Sequence, residues 1–375
     1  MPSGCASPTA PSSQLERPRR CTAEQRVSDE GRAALWRRRG GYFRWVPRDS
    51  GAAEVEIFHV ESGASDQPVL LLVHGFPTCS IDWFDIVELL KDRYRVCALD
   101  FPGYGFSDKP LGWGYSLARD AELLDFYVRE VLGADSVVAL AHDRGSSVAI
   151  NYALALTDQK TESRAVPAVQ HLVLTDGNIF LPLSNLTEFQ RLVLDESTAR
   201  AVLEVLTPET LAAGMGLTTF SPPRPADHPD VQALSATFAH ADGVRVLHET
   251  IQYLVERAEH ERGWLEALSA RDLRTTLIWG MLDTVSPPRV AMHVWNEFLM
   301  LKPGRNRFYL VPEANHYLQV DRPDGLVAAF LHAEDPQSDP APGPVGSDQR
   351  SAVLVDSSRL HLPKARDVLL RTGAQ

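Results

Sequence analysis

Along the middle of the chain, short apolar runs recur between longer mixed stretches. VLLLVHG (Val69–Gly75), RVCALD (Arg95–Asp100), VVALAH (Val137–His142), HLVLTD (His171–Asp176) and TLIWG (Thr276–Gly280) are almost continuously apolar. Runs of this length predict strands covered on both faces, as in a parallel sheet. EVEIFHV (Glu54–Val60) alternates apolar and polar positions, which predicts a half-exposed strand, and FYLV (Phe308–Val311) predicts a last one. Leu117, Ala121, Leu124, Val128 and Val131 recur at helical spacing, so this segment predicts a helix with one face on the sheet. The alternation as a whole predicts an α/β fold, with a mostly parallel sheet flanked by helices.

The alternation breaks between Asn178 and Arg271, where helical patterns are separated by turn material such as SPPRPADHPD (Ser221–Asp230). Because the strand pattern resumes directly afterwards, this insertion predicts a helical lid rather than a separate domain. The expected organisation is a core of residues 41–178 and 271–332, with the lid at 179–270. Residues 1–40 are rich in Ser, Pro and Arg, and residues 333–375 include EDPQSDPAPGPVGSDQ. Both ends are expected to be disordered, since such compositions bury too little apolar surface to order themselves.

Composition narrows the function. The net charge of −12 over 375 residues argues against a nucleic-acid partner, because phosphates would meet no basic surface. No run of apolar residues is long enough for a membrane span, and the N-terminus lacks the apolar centre of a secretory signal. A cytoplasmic location is therefore expected. Cys5, Cys21, Cys79 and Cys97 have neither paired nor metal-ligand spacing, which predicts reduced thiols and no metal site.

In open α/β sheets ligands bind at the carboxyl ends of the strands, and four segments place polar residues there. His74-Gly75-Phe76-Pro77 ends one strand, and Asp143 sits at a sharp strand-to-helix turn between Ala141 and Gly145. Asp283 follows the strand TLIWG, and His316 follows FYLV. Each residue alone has a plain structural alternative: Asp143 as a helix cap, Asp283 as a loop cap, His316 as a core histidine. Together they stand in the chain order nucleophile, acid, histidine.

With HGFPTCSIDW (His74–Trp83), LDFPGYGFSDKP (Leu99–Pro110), AHDRG (Ala141–Gly145), GMLDTVSPP (Gly280–Pro288) and NHYLQVDRP (Asn315–Pro323), the chain resembles the α/β-hydrolase superfamily. It resembles in particular the aspartate-nucleophile branch of epoxide hydrolases and haloalkane dehalogenases, and within it the mesoderm-specific transcript proteins. The resemblance spans roughly Gly41 to Leu331.

It implies an α/β-hydrolase fold and hydrolysis of a small organic molecule through an aspartyl alkyl-enzyme ester, without metal or organic cofactor. Asp143 is then the nucleophile, Asp283 the acid and His316 the base, with the amides of Phe76 and Arg144 as oxyanion donors. Asp176, at the end of the preceding strand, is the alternative acid. Tyr253 is either a proton donor to an opening epoxide or a packing aromatic. His74 and Trp83 are candidates for the substrate pocket, with core packing the alternative for Trp83.

Many members of this branch carry tryptophan after the nucleophile, where this chain has Arg144. That arginine is either an anchor for a substrate carboxylate or the partner of a structural acid, pointing out of the pocket. Epoxide hydrolysis is the first expectation. Dehalogenation of a haloalkane or haloacid is the second, and a non-catalytic binding protein of the same fold is the alternative from another class. The sequence sets no oligomeric state.

Overall fold

The computed structural model describes residues 31–48, 51–158, 167–302, 306–335 and 352–357. In chain order the strands are β1 (Gly41–Trp45), β2 (Val55–Ser62), β3 (Val69–Val73), β4 (Arg95–Leu99), β5 (Ser136–His142), β6 (Ala168–Thr175), β7 (Arg274–Gly280), β8 (Arg307–Val311) and β9 (Val353–Ser357). They form one sheet in the order β1-β2-β4-β3-β5-β6-β7-β8-β9. From β4 to β8 every pairing is parallel; the outer pairings β1–β2, β2–β4 and β8–β9 are antiparallel. The central strands carry the apolar runs because helices cover both faces. β3 and β5, for example, are almost entirely buried along their length.

This strand order decides which loops meet. β3, β5, β6, β7 and β8 are neighbours, so the segments after their carboxyl ends emerge side by side. Between β6 and β7 the chain is helical, with Glu188–Leu194, Glu196–Val205, Pro208–Thr218, Pro229–Ala239, Leu247–Thr250 and Tyr253–Ala270 as its α-helices. Carboxylates of this insertion clamp it to the core. Glu256 accepts from the Leu117 amide at 2.8 Å, and Glu249 accepts from the Gly112 amide at 2.9 Å.

Both expected disordered ends contain structure where they are described. The helix Arg32–Arg39 packs Trp36 at 0% exposure and donates its indole N–H to Ser80 Oγ at 3.0 Å. Its arginine-rich sequence hides this, because one aromatic provides the anchor while Arg32 bonds Asp85 at 2.6 Å. At the other end, β9 pairs with β8, a strand that the acidic and Pro-rich residues before it obscure. The remaining parts of both ends, with Cys5 and Cys21, lie outside the described residues. Cys79 and Cys97 are free and buried. Among the described residues no helix is long and apolar enough to cross a membrane, and no group of three His, Cys, Asp or Glu is placed to hold a metal.

If the N-terminal helix docks through its tryptophan, Trp36→Ala should destabilise the protein by about 3–5 kcal/mol. Chemical denaturation measures this. An unchanged midpoint would contradict the docking.

Candidate active site

The turn after β5 is built for close approach. Asp143 has φ 47°, a left-handed conformation uncommon for a residue with a side chain, and the helix Arg144–Asp158 begins immediately after it. Two glycines make the geometry fit. A Cβ on Gly145 would lie 2.5 Å from the carbonyl oxygens of Val73 and His74, and a Cβ on Gly75 would lie 2.7 Å from Asp143 Cβ. The backbones after β3 and β5 therefore touch, with no room for a side chain between them.

That contact places an amide on the carboxylate. Phe76 N–H donates to Asp143 Oδ2 at 3.0 Å, while Oδ1 accepts only a long 3.5 Å contact from Asn178 Nδ2. The Asp143 amide is held by Thr175 O of β6 at 3.0 Å. His74 is fully buried and brackets the β3 loop: Nδ1–H donates to Gly75 O at 2.8 Å, and Nε2 accepts from Phe101 N at 3.0 Å. Burial pushes its pKa down to about 3, so it acts as a neutral strut. It lies outside the lining of the cavity that opens between the core and the helical insertion. Trp83 is also fully buried and lies edge-on to His142, so the packing alternative holds for it.

His316 Nδ1 meets Asp283 Oδ2 at 3.1 Å. Asp283 Oδ1 in turn accepts from the amides of Val285 and Ser286, both at 2.8 Å, which fixes the carboxylate's orientation. Burial opposes a charged imidazole at His316. Asp283 and then Asp143 outweigh it, and the His316 pKa is raised above 6.5. His142, which precedes Asp143, holds the His316 carbonyl through Nε2 at 2.7 Å. Asp176 is not bonded to His316. Its Oδ1 accepts from Gly280 N at 2.8 Å, and burial followed by the Asp283 charge drives its pKa well up.

The Arg144 guanidinium is committed elsewhere: it pairs with buried Asp120 and lies over the rings of Tyr104 and Phe101 at 5.1 and 5.5 Å. The structural-acid alternative describes this side chain. No hydrogen bond joins the Arg144 amide to Asp143, although the amide opens the helix at that turn. Tyr253 is buried, packs its ring 5.8 Å from that of Phe76, and has a hydroxyl with no partner. Burial raises its pKa well above the phenol range, and the Asp143 charge contributes. Arg257, one helical turn beyond Tyr253, is a residue that sequence reading missed. It is 0% exposed with its guanidinium 5.4 Å from the Tyr253 ring. Its four-residue spacing from Tyr253 was the available signal.

A cavity of about 360 Å³ opens between the core and the helical insertion. Phe76, Pro77, His316 and Tyr317 form its core side, and Leu211 and Met215 belong to its mostly apolar far side. Asp143 and Tyr253 lie outside this lining; Phe76, which touches both, is shared between cavity and carboxylate. Around Phe76 the arrangement gathers one nearly free carboxylate oxygen, an amide donor on the other, a phenol and a basic imidazole, and of these groups His316 itself lines the apolar cavity.

The comparisons agree with this architecture. Residues 68–323 match the family described as alpha/beta hydrolase fold. The human mesoderm-specific transcript homolog protein is 30% identical over 301 residues, covering 79% of this chain and 86% of the relative. Haloalkane dehalogenase 2 of Mycobacterium tuberculosis is 27% identical over 298 residues, covering 77% of this chain and 93% of that one. Among solved structures, an epoxide hydrolase from hot-environment metagenomes superimposes with a TM-score of 0.60 at 18% identity, over 78% of this chain and 98% of that one. At that identity the likeness concerns the fold.

The site's electrostatics predict that His316 titrates above 6.5 by imidazole NMR. Each of Asp143→Asn and Asp283→Asn removes a charge that favours imidazolium and should lower the value. A titration that neither substitution moves would contradict the proximity of the three groups.

Proposed function

Since the chain belongs to the α/β-hydrolase fold family and is a hydrolase of that fold, we propose that it acts through an ester formed on Asp143, most favourably with an epoxide. The observation that carries this reading is the unequal treatment of the two Asp143 oxygens: Oδ2 is held by Phe76 N–H and Oδ1 is nearly free. A serine-based hydrolase is disfavoured, because Ser146 is buried in the helix with its hydroxyl toward Ala141 O at 3.3 Å.

In the first step Oδ1 attacks a saturated carbon of the substrate and the carbon–oxygen bond of the epoxide breaks. The departing alkoxide takes a proton from Tyr253, whose unpartnered hydroxyl lies within electrostatic range of Asp143. In the second step His316 removes a proton from water, and the hydroxide attacks the Asp143 carboxyl carbon. The negative charge that develops on Oδ2 is met by the Phe76 amide, with the Arg144 amide as the second donor. The carbon–oxygen bond to the substrate then breaks at the carboxyl side, the leaving alkoxide takes the proton from His316, and the proton left on the Asp143 carboxyl returns to the Tyr253 phenolate, which restores both groups. Asp283 holds the ring and stabilises its charged form. The helical insertion serves as a lid whose apolar cavity takes the organic body of the substrate.

A second reading, dehalogenation, draws on the 27% identical haloalkane dehalogenase 2. In it the same oxygen displaces halide. It ranks second because the residue after Asp143 offers no indole N–H, and the Arg144 side chain is held by Asp120.

In His316→Gln the first step should proceed and the second stall. Incubation with a panel of epoxides, haloalkanes and haloacids should therefore give a mass increase on the Asp143 peptide. Asp143→Asn should form no adduct and lose turnover by roughly a thousandfold or more. Tyr253→Phe should slow adduct formation from epoxides and not from haloalkanes. Adducts from haloalkanes alone would favour dehalogenation, and turnover without any Asp143 adduct would contradict the ester.

A further inference from the structure

The described buried cations around Asp143 differ in how far they are met. Arg144 bonds Asp120 through one nitrogen, with Nε and Nη1 unmet, and Lys109 donates to the carbonyls of Gly105 and Ser107 at 2.6 and 3.1 Å. Arg257 is 0% exposed, yet Nε, Nη1 and Nη2 all lack a hydrogen-bond partner. The nearby Glu261 is committed to the Leu181 amide at 2.8 Å and forms no ion pair with it. A guanidinium carries five donors in a fixed fork, and burying all of them unmet is costly. Burial accordingly lowers the Arg257 pKa, with Tyr253, Asp143 and Glu261 only partly offsetting it.

We propose that Arg257 is a substrate-binding residue that receives a carboxylate, so that the molecules hydrolysed at Asp143 are small organic acids. The inference rests on Asp143 being the substrate site. Three observations direct the choice of ligand. The guanidinium lies 5.4 Å from the ring of Tyr253, which packs on Phe76, and Phe76 both lines the cavity and donates to Asp143. Arg257 stands outside the cavity lining and is linked to it through Tyr253 and Phe76. A ligand that rests its apolar body in the cavity and turns a single planar anion past Tyr253 suits this order, because an arginine fork grips such an anion through two parallel bonds. The charge balance of the reaction points the same way. Asp143 is one of the anions acting on Arg257, and esterification would remove that charge while Arg257 stays buried. A carboxylate on the substrate replaces it for the lifetime of the ester.

The test compares octanoate with its neutral counterpart octanamide, by titration calorimetry on the full-length protein at neutral pH. Neither probe carries a leaving group, so the result does not depend on the ester mechanism. Octanoate should bind roughly tenfold tighter or more, the scale of one charge-assisted pair. Arg257→Met should abolish the preference, and Arg257→Lys should retain part of it.

Thermal unfolding of the same variants separates this role from a structural one. Removing an unpartnered buried charge should leave Tm equal or higher in Arg257→Met, whereas a structural arginine would lower it. Equal binding of the two probes, a preference that survives in Arg257→Met, or a clear loss of Tm would each overturn the proposal. Octanoate preference in a protein that never forms an Asp143 adduct would leave the carboxylate site standing and remove the ester mechanism.

Discussion

Between the loop after β3 and the turn after β5 the two backbones are in direct contact, and the site follows from that contact. Asp143 sits at φ 47°, a conformation that costs on the order of 1–2 kcal/mol for a residue with a side chain. The cost is met locally, because Thr175 O receives the Asp143 amide and Phe76 N–H binds the carboxylate. Gly75 and Gly145 are the residues that let the chains approach so closely. The neutral strut His74 then ties the same loop to the one after β4. Fixing this corner distinguishes the two oxygens of one carboxylate, and the proposed chemistry needs that distinction.

The electrostatics form a second layer built around the first. Asp283 has three hydrogen bonds and holds His316, while burial and the Asp283 charge push the pKa of the adjacent Asp176 well up. Arg144 and Asp120 face one another as a buried pair, in which burial raises the Asp120 pKa and the Arg144 charge opposes the rise. Buried pairs of this kind are lost at considerable cost when one member is removed. Among the described residues Arg257 departs furthest from this pairing, with Nε, Nη1 and Nη2 all lacking a hydrogen-bond partner. An arginine buried in that state directs attention to a missing anion.

Much of this was legible in the residues. Parallel strands announced themselves as apolar runs because both of their faces are covered, and Asp143, Asp283 and His316 stood out because each follows such a run. Strand ends do not tell an acid that faces the histidine from one that faces a neighbouring amide, however. Asp283 and Asp176 occupy equivalent places in the pattern, and only the turn through Val285 and Ser286 aims one of them at His316. For the same reason His74, polar at a strand end, read as a pocket residue when it is a strut. Arg257 was hidden among the charges of VERAEHER, where its burial depends on how the helix Tyr253–Ala270 packs. The helix around Trp36 was hidden by its own arginines, whose charge masked a single aromatic anchor.

The claim on which the account depends is that Asp143 itself is esterified and that water reopens the ester at its carboxyl carbon. Repeated turnover of an active substrate in ¹⁸O-water, followed by mass analysis of the Asp143 peptide, tests this directly. The account predicts that ¹⁸O enters the Asp143 carboxylate and reaches product only from a labelled carboxylate. Label appearing in product from the first turnover, with the Asp143 peptide unlabelled, would mean that water attacks the substrate directly and would contradict it.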